Sequence, residues 1–256
     1  MSILNRKPSV ECGHCSLSEF CLPKGLSKSE LEQVEQAIER TIKFSKKDYL
    51  FRCNDAQRAI YAVKSGAVKV SVSTADGGEQ ILGFYLPGDL LGFDAMARGQ
   101  HICDAQALDD TLVCELKMDN FSELCNNFDS LRQQMMRQMG QEIARDHQLL
   151  LSLGQMRTEE RLATFLVGIS ERNKQRGFAA LEFNLPMPRI YLASYLGMAV
   201  ETLSRMFSRL QSDGIIKVKQ RLIVITDLEA LLELAHRSCR DKGEPAEATA
   251  KINFSN

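Results

Sequence analysis

Hydrophobic positions change their rhythm several times along this chain, and each change marks an element. Around Ser27, a good helix N-cap, Leu26, Leu31, Val34 and Ile38 recur at helical spacing. From Phe44 to about Leu116 the helical rhythm gives way to short runs rich in Val, Ile, Phe and Tyr, such as Ala59–Val63, Ala67–Val72 and Gln80–Phe84. Turn signals separate them: Lys64-Ser65-Gly66, Asp76-Gly77-Gly78, Pro87-Gly88-Asp89 and Arg98-Gly99. Evenly spaced short strands of this kind predict a small sandwich or barrel. A long helix is predicted from Asp129 to Gly154, with a seam at Met136, Met139, Ile143, Asp146, Leu150 and Leu153. Alternating steps of three and four make this an a/d heptad stripe, the pattern of a two-helix coiled coil, although a core-packed helix shows the same stripe.

Asp146 breaks the apolar stripe. A carboxylate there costs stability against a plain core, whereas in a symmetric dimer it meets its own twin and weakens pairing. The expectation is a dimer that is deliberately easy to take apart.

Beyond Thr158 the chain is helical again, passes Pro186 and Pro188, and reaches RIYLASYLGMAVETLSRMFSRL at Arg189–Leu210. Leu192, Ala193 and Leu196 face inward on a first helix, Gly197 suits a turn of positive φ, and Met198, Val200, Leu203 and Met206 or Phe207 line the inner face of a second. This is a helix-turn-helix, whose second helix enters the DNA major groove. Its outer face offers Arg205 for guanine, Glu201 for cytosine and the adaptable Ser204, with Ser208 beside them. Ile215–Val218 and Leu222–Ile225 read as a hairpin, or wing, whose Lys217, Lys219 and Arg221 can reach phosphates. Positions 237–256 read as a loosely ordered tail.

Net charge is -1 over 256 residues, but between Arg172 and Arg221 nine Lys/Arg face three acids. Distribution matters more than the total for nucleic-acid binding. No apolar run approaches the ~20 residues of a membrane helix, and Met1–Val10 lacks the apolar core of a secretion signal. A cytoplasmic location is therefore expected, where the eight cysteines are thiols or metal ligands rather than a disulfide framework. No Ser/His/Asp set, P-loop or GxGxxG is present, and His14, His101, His147 and His236 are scattered, so no enzyme is expected.

Cys12, Cys15 and Cys21 form C-x2-C-x5-C, a set of soft ligands suited to zinc or an iron–sulfur cluster. A fourth ligand must come from elsewhere, with Cys53, Cys103, Cys114, Cys125 and Cys239 as candidates. A second CxxC is missing, which lowers the zinc reading, and His14 points badly for a metal held by its neighbours.

With these parts in order, the chain resembles the CRP/FNR regulator family, and most of all its FNR branch. The resemblance spans about Cys12 to Ala235 and is strongest in CGHCSLSEFC, GEQILGFYLPGDLLGFDA, LRQQMMRQMGQEI and YLGMAVETLSR. It implies an α+β chain: an N-terminal cluster-binding segment (1–27), a cyclic-nucleotide-binding-like β-roll, or jelly roll (28–128), a dimerisation helix (129–156), a winged helix-turn-helix domain (157–236) and a flexible tail (237–256). It implies a 4Fe-4S cluster on Cys12, Cys15, Cys21 and Cys114, the last in the short strand Thr111–Glu115. The family's E-x-x-S-R pattern falls on Glu201, Ser204 and Arg205, with TTGAT-type palindromes as target. Oxygen would convert the cluster and separate the dimer; nitric oxide or a general redox signal is the alternative, and a small-molecule sensor with structural zinc another. RNA polymerase is an implied partner, and the Asp76-Gly77-Gly78 turn resembles a polymerase-contacting loop. Phe93 after Gly92, and Cys103-Asp104 where the cyclic-AMP branch has an Arg-Ser pair, speak against a cyclic nucleotide, because an Asp repels its phosphate. Ile190-Tyr191 opens the first helix with bulkier residues than is usual for the branch.

Overall fold

The computed structural model describes residues 12–22, 24–74 and 77–236. Compact packing divides the chain into two units with the boundary at Ala144/Arg145, and each is described by itself. Positions 237–256, Cys239 and Asp76 lie outside the described residues.

In the first unit, tight turns carry Cys12 to Leu22, and a helix α1 (Lys28–Ala37) follows. Ser27 and Glu30 close a capping box at its start, each side chain accepting from the other's backbone N–H. Strand β1 (Ile38–Phe44) begins directly at the helix end, six residues ahead of the change in texture at Phe44. Then come β2 (Tyr49–Phe51), β3 (Ala59–Ser65), β4 (Val68–Ser73), β5 (Glu79–Tyr85), β6 (Leu90–Leu91), β7 (Asp104–Ala107) and β8 (Thr111–Lys117). They form two antiparallel four-stranded sheets, β1-β8-β3-β6 and β2-β7-β4-β5.

Two apolar cores use the two faces of the first sheet. On β3, Ala59, Tyr61 and Val63 point into the sandwich with Phe51, Val68, Val70, Cys103, Ala105 and Val113. Ile60 and Ala62, on the other face, pack with Leu116, Val34, Phe121 and Leu124 beneath α1, α2 (Met118–Asn127) and the start of α3 (Asp129–Gln155). Both faces are covered, so this strand reads as an unbroken apolar run rather than an alternating one.

Helix α3 turns Leu131 and Met135 into that second core. A neighbouring stripe is open: Met136, Ile143 and Leu150 are 66%, 54% and 67% exposed, Asp146 is exposed, and Met139 and Leu153 are half-buried.

In the second unit, α4 (Thr158–Gln175) packs with a helix α5 (Arg189–Tyr195), a helix α6 (Val200–Ser212) and α7 (Leu228–Ala235). A three-stranded antiparallel sheet, β10-β11-β9, joins the hairpin β10 (Ile216–Lys219) and β11 (Leu222–Ile225) to β9 (Glu182–Asn184), a strand that the sequence pattern does not announce.

Candidate functional site

The helix-turn-helix is built from α5, a turn and α6. Leu192, Ala193, Leu196, Leu203, Phe207 and Leu210 are buried, which fixes the two helices against α4. Gly197 sits in the turn at φ 60°, and a Cβ there would lie 2.7 Å from Leu153 Cδ2. Leu153, the last residue of the expected seam, thus packs on this turn within its own chain. Arg161 locks the same corner. Its guanidinium donates to the carbonyls of Leu196 (3.0 Å), Gly197 (3.2 Å), Leu153 (2.8 Å) and Met156 (3.0 Å). No local sequence pattern singles out this arginine.

The outer face of α6 presents Glu201, Ser204, Arg205 and Ser208 to solvent. Ser204 Oγ donates back to the Val200 carbonyl at 2.9 Å, and Arg205 Nη2 lies 3.5 Å from Thr202 Oγ1, a weak contact that leaves the guanidinium able to reach outward. Gln211 accepts from the Val218 N–H at 3.0 Å and so ties the wing to α6; Lys217, Lys219 and Arg221 on that wing are exposed. Arg189 stacks on Phe207, 3.3 Å from the ring centroid, and burial lowers its pKa.

The thiols form the second candidate site. Cys12, in a single 3-10 turn, is buried, and Cys15 and Cys21 are half-buried. On β8, Cys114 pairs across to Ala62 on β3 and to Thr41 on β1. The period of two puts it on the helix-covered face, in the same core as Cys12 and Cys21. Each of the six pairings among Cys12, Cys15, Cys21 and Cys114 raises the cost of ionising a thiol. Burial first, then Cys114, Glu35 and Cys15, push Cys12 up to about 12; burial likewise pushes Cys21 and Cys114 up, while Lys64 works the other way on Cys12 and Cys114. Among the described residues, no three His, Cys, Asp or Glu side chains already converge as ligands of one ion. The donor set nevertheless suits a soft metal centre: four sulfurs, of which burial makes Cys12, Cys21 and Cys114 costly to ionise without a positive charge among them. Cys125 packs against the same core, half-buried near Arg132, and His14 is exposed.

Two buried amides link this segment to α3. Gln134 Nε2 donates to the Cys21 carbonyl (3.3 Å) and Gln138 Nε2 to the Phe20 carbonyl (3.2 Å). They lie one turn apart on the face of α3 away from the open stripe, and only that spacing marks them in sequence.

In the β-roll, Gly92 and Phe93 precede Asp94, whose carboxylate accepts from His101 Nδ1 (3.0 Å) and the Ile102 N–H (2.9 Å). Burial works against its charge, but those donors outweigh it and hold Asp94 below the usual carboxylate range.

A β-roll joined to a winged helix-turn-helix through a long helix is the architecture of a ligand- or signal-responsive regulator of transcription, and the comparisons agree. Residues 41–128 match the cyclic nucleotide-binding domain family and residues 160–234 the Crp-like helix-turn-helix domain family. The chain is 43% identical to the anaerobic regulatory protein of Haemophilus influenzae over 226 residues, covering 88% of each. It is 42% identical to the fumarate and nitrate reduction regulatory protein of Escherichia coli K12 over 227 residues, 89% of this chain and 91% of that one. The structure of FixK2 from Bradyrhizobium japonicum superposes with a TM-score of 0.70 at 28% identity, over 76% of this chain and 96% of the other. The chain therefore belongs to the CRP/FNR family of DNA-binding transcription regulators, whose members regulate transcription rather than catalyse a reaction. Among the described residues, no helix is long and apolar enough to cross a membrane.

Proposed function

We propose that this protein is a regulator of anaerobic metabolism that binds TTGAT-type palindromes as a homodimer, with pairing controlled by a 4Fe-4S cluster on Cys12, Cys15, Cys21 and Cys114. The observation that carries this reading is the gathering of those four thiols, three from one short segment and one from β8, in a single half-buried neighbourhood. The relatives' names, which state anaerobic regulation and fumarate and nitrate reduction, support the same reading.

When bound, the cluster supplies an oxygen-reactive centre whose integrity reports the redox state of the cytoplasm. The rest of the device is protein. The four cysteines fix the path of residues 12–21, and Gln134 and Gln138 grip the carbonyls of Cys21 and Phe20, so that path is coupled to α3. The open stripe of α3, with Met136, Met139, Ile143 and Leu150 in heptad register, is the surface a second copy covers, and Asp146 opposes that pairing. Two subunits then present two copies of α6 to successive major grooves, where Glu201, Ser204 and Arg205 read bases. Lys217, Lys219 and Arg221, exposed on the wing, hold phosphates, and RNA polymerase is the further partner of this reading.

Iron and sulfide analysis of protein purified without oxygen, beside the Cys114→Ser variant, tests the reading. Iron and sulfide in the parent and their loss in the variant are expected. A parent free of iron, or a variant that keeps it, overturns the cluster assignment.

A further inference from the structure

A second thiol arrangement lies in the other core, among residues that the four-cysteine neighbourhood does not use. Cys103 is 4% exposed and packs in the sandwich with Phe51 and Ala105. Its Sγ donates to Asp94 Oδ2 at 3.3 Å. Asp94 also holds His101, which is 2% exposed and stacked on Phe51 with centroids 3.6 Å apart and planes 9° from parallel.

The backbone brings an exposed thiol against this cluster. Phe51 pairs with Ala105, and the Asn54 N–H donates to the His101 carbonyl at 2.8 Å. These two contacts bracket Cys53 and hold it across from residues 102–104. The Cys53 N–H itself donates to Asp104 Oδ1 at 2.8 Å. A turn clamps the loop from its other side, with the Asp55 N–H donating to the Arg52 carbonyl (3.0 Å) and the Arg52 N–H to Asp55 Oδ2 (2.8 Å). Main-chain donors at 53 and 54 that bond residues 104 and 101 thus hold the two cysteine-bearing loops side by side, the arrangement a disulfide needs.

We propose that Cys53 and Cys103 form a peroxide-oxidisable thiol pair, a modification site separate from the four clustered cysteines. The roles follow from exposure. Cys53 meets solvent, and Cys103 does not. Burial and the adjacent Asp94 charge keep Cys103 protonated, so it waits as the resolving thiol. Cys53 sulfur attacks a hydroperoxide ROOH, the O–O bond breaks, and Cys53–SOH and ROH form. Cys103 sulfur then attacks Cys53 sulfur; the S–O bond breaks, and the hydroxyl leaves as water with the thiol proton, which the Asp94 carboxylate is placed to accept and pass on. In sum, two thiols and one hydroperoxide give one disulfide, one alcohol (or water) and one water. The bond staples the loop at 52–55 to the loop at 99–104.

The test uses the full chain, fully reduced and treated with one equivalent of hydrogen peroxide, then alkylated, digested and fragmented by tandem mass spectrometry. Fragmentation is needed because Cys103 and Cys114 share a tryptic peptide. A Cys53–Cys103 cross-link is expected in the parent. In Cys103→Ala, which keeps the packing apolar, Cys53 is expected to accumulate as a sulfenic acid that dimedone traps. In Cys53→Ser, at an exposed position, Cys103 is expected to stay alkylatable. A parent in which both residues stay alkylatable, or in which Cys53 joins any other cysteine, overturns the proposal. The same fragment spectra assign oxidation at Cys12, Cys15, Cys21 or Cys114 apart from oxidation at Cys53 and Cys103, and the cluster reading stands or falls on the iron and sulfide analysis.

Discussion

Arg161 donates to the carbonyl oxygen of Gly197, 3.2 Å away, in the turn between α5 and α6. The same guanidinium reaches Leu196, Leu153 and Met156, so one side chain satisfies four carbonyls that helix ends leave without intrahelical partners. Arg161→Ala is expected to destabilise the second unit by on the order of 3 kcal/mol, because several charge-assisted bonds disappear and their acceptors are left part-buried. Arg161→Lys should recover only a fraction, since a single ammonium cannot reproduce the planar fork. Urea denaturation of the three proteins measures the difference.

Base reading and phosphate holding separate by mutation. Arg205→Ala is expected to reduce discrimination at one base pair of each half-site by about 1–3 kcal/mol. Lys219→Ala is expected to weaken every sequence alike and to lower the slope of log K against log salt by about one for each phosphate no longer neutralised. Titrations against the palindrome and single-base variants at several salt concentrations distinguish the two.

Pairing along α3 yields opposite results at neighbouring positions. Ile143 is 54% exposed on the open stripe, and Ile143→Glu is expected to leave the protein monomeric even when loaded with iron. On the proposed dimer the two Asp146 carboxylates oppose each other, so Asp146→Ala is expected to let the metal-free protein dimerise. Anaerobic sedimentation of iron-loaded Ile143→Glu and of apo-Asp146→Ala reads the two, and an apo-Asp146→Ala that remains monomeric removes the assigned role.

Asp94 gives a pH signature. Donors hold its folded pKa below the usual carboxylate value, so its contribution to stability is fully present above that usual value, near pH 4, and fades as pH falls through the lowered one. Asp94→Asn is therefore expected to be less stable than the parent at neutral pH, with the gap closing in acid. Thermal unfolding from pH 7 to pH 3 measures it.

Much of this molecule is written in local patterns. Helical spacing after Ser27, the heptad stripe of α3 and the glycine turn at Gly197 each reappear where short-range physics puts them. What the sequence hides is long-range. Strand β9 is three residues long and exists because Phe183 pairs with Ile223 some forty positions later. Arg161 looks like any helical surface arginine until the turn at 196–197 is folded against it. Leu153 fits the heptad register, yet its side chain belongs to the helix-turn-helix corner. Asp94, His101 and Cys103 meet only because a loop folds back after β6, and no periodicity encodes a loop.

The two glutamines of α3 hold main-chain oxygens, not side chains, of the cysteine segment. The grip is therefore indifferent to which residues stand at Phe20 and its neighbours and sensitive to how many there are. Evolution can exchange side chains between Cys15 and Cys21 to adjust access to the sulfurs, and the handle on the helix survives each exchange; a single insertion there would release it.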